Sequence, residues 1–215
     1  GLTISTFHSL GLRFLQIEHE RAKLRRGFSI FDSDDQMAII KDLATPGLKN
    51  DALYSLQNLI SAAKNNALSP EQAAEAARSG REREAAGIYA RYQARLQAYN
   101  AVDFDDLIRL PLTLLEAEPD LAAGWRERLR YLLVDECQDT NGAQYRLLKQ
   151  LAGPKGNMTC VGDDDQSIYA WRGAQPENLD QLATDYPNLK VVQLEQNYRC
   201  TARILRCANT LSEKN

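Results

Sequence analysis

The sequence predicts an α/β fold: a partial parallel sheet with flanking helices, carrying a large all-helical inserted subdomain. Two observations lead there. Residues 12 to about 128 read as successive helices with recognisable starts. From about 129 onward, short apolar runs of strand length recur, and the helix-period stretch Gln144–Leu151 separates the first two. Short apolar strands alternating with helices form parallel sheets covered on both faces.

Taken in order, Thr3-Ile4-Ser5-Thr6 is a possible first strand, which makes the helical half an insertion between strands of one sheet. Ser33-Asp34-Asp35-Gln36 reads as a capping box, with the Ser hydroxyl and the Gln side chain satisfying backbone N–H groups at a helix start. Ser69-Pro70-Glu71-Gln72 repeats it, with Pro70 at the first helical position, where its missing N–H costs nothing. Asp103 opens a third helix, followed by Phe104, Leu107, Ile108 and Leu110 at helical spacing. Strands are expected at Tyr131–Val134, Met158–Val161 and Val191–Leu194.

Composition narrows the class. The 215 residues are 44% apolar and 26% charged with 12 Gly and 7 Pro, which excludes disordered, collagen-like and low-complexity chains. No apolar run reaches the roughly 18 residues of a membrane span, so no membrane partner is expected. Gly1–Thr6 lacks the basic and apolar regions of a signal peptide. Cys137, Cys160, Cys200 and Cys207 lack C-x-x-C spacing and have only two His as co-ligands, so free thiols are expected rather than zinc. With a net charge of −3, a polyanion must be met by local basic patches.

Ligands of parallel α/β sheets bind beyond the carboxyl ends of the strands. Asp135, Glu136, Gln138 and Asp139 follow the first expected strand. Gly162, Asp163, Asp164, Asp165 and Gln166 follow the second, and Glu195, Gln196, Asn197, Tyr198 and Arg199 the third. Two adjacent carboxylates after a buried strand suit a Mg²⁺–nucleotide site, one holding the metal through its water shell and the other deprotonating the attacking water. The tract ending Tyr169-Ala170-Trp171-Arg172 sets an aromatic–basic cluster behind three acids. An exposed Trp beside Arg fits a stacking platform for unpaired bases, and the same Trp could equally fill a core. Arg199 has the chemistry to stabilise charge on a transferring phosphoryl group, or it is a plain surface arginine.

Five strings in order give the chain a family resemblance: Thr6-Phe7-His8-Ser9-Leu10-Gly11, Val102-Asp103-Phe104-Asp105-Asp106-Leu107, Leu133 to Asn141, Val161 to Ala174, and Leu194 to Arg199. Together they resemble the superfamily 1 DNA helicases of the Rep/UvrD/PcrA type. The resemblance implies a RecA-like sheet divided as 1–11 and 111–192 (first motor domain), 12–110 (inserted helical subdomain) and 193–215 (start of the second motor domain). It implies ATP and Mg²⁺ as cofactors, with Asp135 on the metal, Glu136 as the base for the hydrolytic water, and Gln166 sensing the γ-phosphate. Arg199 would be the arginine finger, and Tyr198 would lie against the adenine. Tyr169, Trp171 and Arg172 would contact single-stranded DNA, with Thr6, Phe7 and His8 near its path. The implied partners are single-stranded DNA, 3′-tailed or forked duplex DNA, replication or repair proteins, and a second copy on DNA. The implied setting is bacterial, cytoplasmic and nucleoid-associated. The family usually has an aromatic where Cys137 stands, and often Ser where Ala170 and Cys200 stand; no chemically necessary group is lost by these departures.

A larger departure is that no G-x-x-x-x-G-K-[ST] phosphate loop occurs in the sequence. The chain therefore reads as a helicase fragment holding half of an ATP site, with no ATPase expected of it alone. The competing reading is a non-catalytic nucleic-acid-binding or interaction module, using basic stretches such as Arg21–Arg26 and Arg78–Arg83 on phosphates. A nuclease–helicase fusion is a third, with nothing nuclease-like in these residues.

Overall fold

The computed structural model describes residues 2–167, 169, 173–175 and 177–212. The helices are α1 (Phe7–Ile17), α2 (Ser33–Leu43), α3 (Asn50–Asn65), α4 (Pro70–Ala76), α5 (Gly80–Ala98), α6 (Asp106–Ala117), α7 (Pro119–Leu129), α8 (Gly142–Ala152), α9 (Glu177–Asp185) and α10 (Ala202–Ser212). The strands are β1 (Ser29–Phe31), β2 (Ala101–Asp103), β3 (Leu132–Val134) and β4 (Met158–Cys160). Among the described residues they form two separate two-stranded sheets, β1 with β2 and β3 with β4, both parallel.

Capping chemistry sets several helix starts. The box at Ser69 is as expected: Ser69 Oγ accepts from Gln72 N at 3.2 Å and Gln72 Oε1 from Ser69 N at 2.8 Å. The box expected at Ser33 lies one residue earlier, because Asp32 presents a carboxylate that accepts from both Asp34 N and Asp35 N. Asp35 returns the bond to Asp32 N, while Ser33 Oγ accepts from Gln57. Asp103 does not open a helix. It closes β2, and its Oδ1 accepts from Asp106 N, where α6 begins.

Three apolar clusters fill the interior. One joins α1, α6, α7 and α8 through residues such as Phe14, Leu112 and Leu147, with the Phe14 and Trp125 rings 4.6 Å apart. A second packs α2, α3 and α5 around Leu56, Tyr89 and Tyr92, and the β1–β2 pair closes it where the chain returns. The third packs β3 and α9 against α8 through Val134, Leu182 and Leu148. At roughly 1.5–3 kcal/mol per large side chain buried, each cluster is a substantial driving force.

Two expected strands are corrected. Thr3–Thr6 is extended only as the lead-in that caps α1, and Val191–Leu194 runs irregularly. Neither has a ladder partner among the described residues, and an isolated strand leaves its N–H and C=O groups unsatisfied. Leu194 is 85% exposed in consequence. Conversely, β1 and β2 interrupt the stretch that reads as helices alone; at three residues each, they are too short for a period to register.

Candidate active site

Asp135 and Glu136 follow β3 directly, both exposed, and β4 lies alongside in register with Val134 opposite Cys160. Beyond the ladder, Val161 N donates to Val134 O at 2.8 Å and Cys137 N to Val161 O at 2.9 Å, which carries the pairing into both loops. Glu136 adopts a left-handed backbone, φ 52°, a conformation that costs a non-glycine residue about 1–2 kcal/mol. Its N–H bonds Asp135 Oδ1 at 3.0 Å. Such strain clusters where a side chain must be aimed.

A buried amide ties the two strand ends together. Gln138 donates from Nε2 to Glu136 Oε2 at 2.7 Å, while its Oε1 accepts from Asp163 N at 3.1 Å. Gln166 in turn donates to Asp163 Oδ2 at 2.6 Å. Glu136 and Gln166 are therefore linked through Gln138 and Asp163. A Cβ on Gly162 would stand 2.9 Å from Gln138 Oε1, so a residue without a side chain lets this amide through. Gln138 was visible only as one amide among several after the strand; its bridging role depends on register that a sequence does not display.

Beneath the acids, Cys137 is fully buried against Cys160, whose thiol is pushed up by its hydrogen bond to Cys137 and by burial. Both are free thiols, as expected. No cluster of three or more His, Cys, Asp or Glu occurs among the described residues. That donor set does not form a protein cage, but it fits hydrated Mg²⁺, which takes one or two carboxylates and fills its remaining octahedral positions with water and phosphate oxygens.

Thr6 caps α1 by accepting from Ser9 N at 3.2 Å. Phe7 is half-buried against the first and third clusters, and the His8 ring lies 5.8 Å from that of Phe104, which is 53% exposed. Burial lowers the His8 pKa, disfavouring the charged imidazolium. Tyr169 is partly exposed. Trp171 and Arg172 lie outside the described residues.

Tyr198 is 91% exposed, Arg199 is exposed with its N–H on Asn197 Oδ1, and no described hydrogen bond or ion pair joins either side chain to the acids. The basic stretches are partly neutralised: Arg21 pairs with Glu18 and Glu118, and Arg81 with Glu84.

One charged cluster escaped the sequence reading. Lys64, buried in α3, meets Asp103 at 2.6 Å and Asp106 at 3.1 Å, with Tyr92 donating to Asp103 and Arg109 to Asp106. Burial alone pushes Asp106 up, but Lys64 and Arg109 bring it below the usual carboxylate range. Asp105, beside them, is raised to about 6 by burial and by Asp103.

The model of the UvrD/REP helicase N-terminal domain matches residues 1–187. ATP-dependent DNA helicase Rep of Escherichia coli (strain K12) is 50% identical over 218 residues, covering 100% of this chain and 32% of that protein. ATP-dependent DNA helicase PcrA of Bacillus subtilis (strain 168) is 41% identical over 215 residues, covering 99% of this chain and 29% of that protein. The chain thus spans about a third of the length of the curated relatives it matches.

Proposed function

The chain belongs to the UvrD/REP helicase family, and on that premise we propose that it carries one wall of the ATP site of a 3′-to-5′ DNA helicase. In this reading ATP hydrolysis drives movement along single-stranded DNA and unwinds 3′-tailed or forked duplex in replication or repair. The supporting observation is the link Glu136–Gln138–Asp163–Gln166, which joins the acidic pair after β3 to the glutamine after β4.

Each side chain has a role its position allows. Asp135 would hold Mg²⁺, which when bound offsets the charge of the triphosphate. Glu136, aimed by its left-handed backbone, takes the proton of the water that attacks the γ-phosphorus as ADP leaves. Gln138 holds Glu136 by a hydrogen bond and Asp163 by another, so a shift of Gln166 on meeting the γ-phosphate is felt at the base. Arg199 and Tyr198 belong, in this reading, to the second motor domain from 193 onward, which closes on the nucleotide. Residues 1–11 and 111–192 form the first motor domain, and 12–110 its helical insert. Tyr169, Trp171 and Arg172 grip unpaired bases, with Thr6, Phe7 and His8 along the same path. Burial disfavours the charged form of His8, which suits stacking or hydrogen bonding there more than charge. A second copy on DNA and replication or repair proteins remain part of the proposal as partners.

The test is Glu136→Gln in the full-length protein. ATP and single-strand binding should persist while DNA-stimulated turnover falls by about 10²–10⁴. Near-normal turnover would remove Glu136 from the base role.

A further inference from the structure

The last turn of α3 ends in Lys64-Asn65-Asn66, and three consecutive side chains leave it for three different segments. Lys64 meets the acids around the start of α6. Asn65 Oδ1 accepts from Asn141 Nδ2 at 2.8 Å, and Asn66 Oδ1 accepts from Gln175 Nε2 at 3.2 Å. Asn141 closes the short loop that begins at Glu136, and Gln175 follows the aromatic tract after Gln166. The two segments also hold each other, since Thr140 O accepts from Gln175 N at 3.0 Å and from Asn178 Nδ2 at 2.9 Å.

Asn141 is buried and its amide is used at both ends: Oδ1 caps α8 by accepting from Gln144 N, and Nδ2 donates to Asn65. A buried amide donor that loses its acceptor carries its full desolvation cost, so the Asn65 oxygen is one of the two holds on the Asn141 amide, beside the Gln144 cap. We propose that Asn65 and Asn66 are positioning residues. They seat the loop behind the acidic pair and the segment behind the aromatic tract on one helix end, so that engagement of the tract by DNA is transmitted to ATP turnover. This rests on the helicase reading above. The helix end belongs to the cluster of α2, α3 and α5, so the helical lobe takes part in coupling without touching nucleotide.

The experiment compares two double variants of the full-length protein: Asn65→Ala with Asn66→Ala, and Asn65→Asp with Asn66→Asp. Aspartate keeps the accepting oxygen at both positions and gives up only the local bonds of Nδ2 to Ser61 and Ala62, whereas alanine removes both. In the alanine pair, single-strand-stimulated kcat should fall about tenfold, while DNA-free kcat and the KM for ATP stay within about twofold. The aspartate pair should recover most of the stimulation. Unchanged stimulation in the alanine pair overturns the proposal, as does a parallel loss of DNA-free and stimulated turnover that aspartate does not rescue. A wild-type protein without DNA-stimulated turnover would instead refute the helicase reading itself. If the alanine pair does not fold, Asn66→Ala alone carries the same comparison, since that side chain is exposed.

Discussion

Asp105 shows how one residue couples the helical lobe to pH. Its carboxyl is raised to about 6 by burial and by Asp103, with Lys64 and a Ser61 hydrogen bond offsetting part of the rise. A carboxyl raised on folding binds its proton more tightly in the native state. Its contribution is therefore full below the unfolded pKa near 4 and is lost as pH climbs through about 6. Asp105→Asn should flatten that part of the profile and raise stability at pH 7.5, measured as the urea midpoint at pH 4.5, 6 and 7.5. An unchanged slope would assign the pH dependence to other groups. The string Val102–Leu107 was legible as a motif, but not as half of a buried ion cluster. Its cation sits in α3, and nothing local in the sequence marks Lys64 as buried. The acidic pair was legible because its chemistry follows a strand directly, whereas the bridging amide of Gln138 depends on β3 and β4 lying side by side.

Among the elements, α1 and α6 show why a helix can be sequence-plain and still specific. Pro111 lies inside α6 and has no N–H to offer Leu107 O four residues earlier. That carbonyl faces Gly11 of α1, where an added Cβ would stand 1.7 Å from it. The two helices approach this closely because one lacks a donor and the other a side chain. Gly11→Ala must push backbone apart, and a loss of about 3 kcal/mol is expected, read by urea denaturation. A loss under about 1 kcal/mol would mean that the helices separate without strain. Local pattern reading placed the starts of α2 and α4 to within a residue and the span of α8, because amphipathic spacing and capping residues are local properties, whereas the start expected at Asp103 falls at the end of β2. It failed for Thr3–Thr6 and Val191–Leu194, where apolar strand-like residues find no partner among the described residues, and for β1 and β2, which exist only through each other.

At the scale of the whole molecule, the clusters divide along sequence. The α2, α3 and α5 core is built almost wholly from residues 37–101, whereas the core of α1, α6, α7 and α8 needs segments from both sides of it. β3 keeps Leu133 78% exposed, and α10 has a marked apolar face with Ile204 exposed, so the described residues leave apolar surface uncovered on both elements. The chain spans about a third of the length of the curated relatives it matches. The parallel pairing of Ser29 with Ala101 brings together two points far apart in the chain. Closing that loop as a flexible coil carries a length-dependent entropy cost of about 4 kcal/mol. If α2, α3 and α5 collapse first through local contacts, the two strands are delivered almost side by side and most of that cost is already met. Pulsed hydrogen exchange during refolding should then protect the amides of Leu56 and Tyr89 before those of Phe14 and Leu112; the reverse order would refute it. The lobe between the paired strands is, on this account, an internal chaperone: it is the part that learns its shape alone and then hands the core of α1, α6, α7 and α8 its two ends.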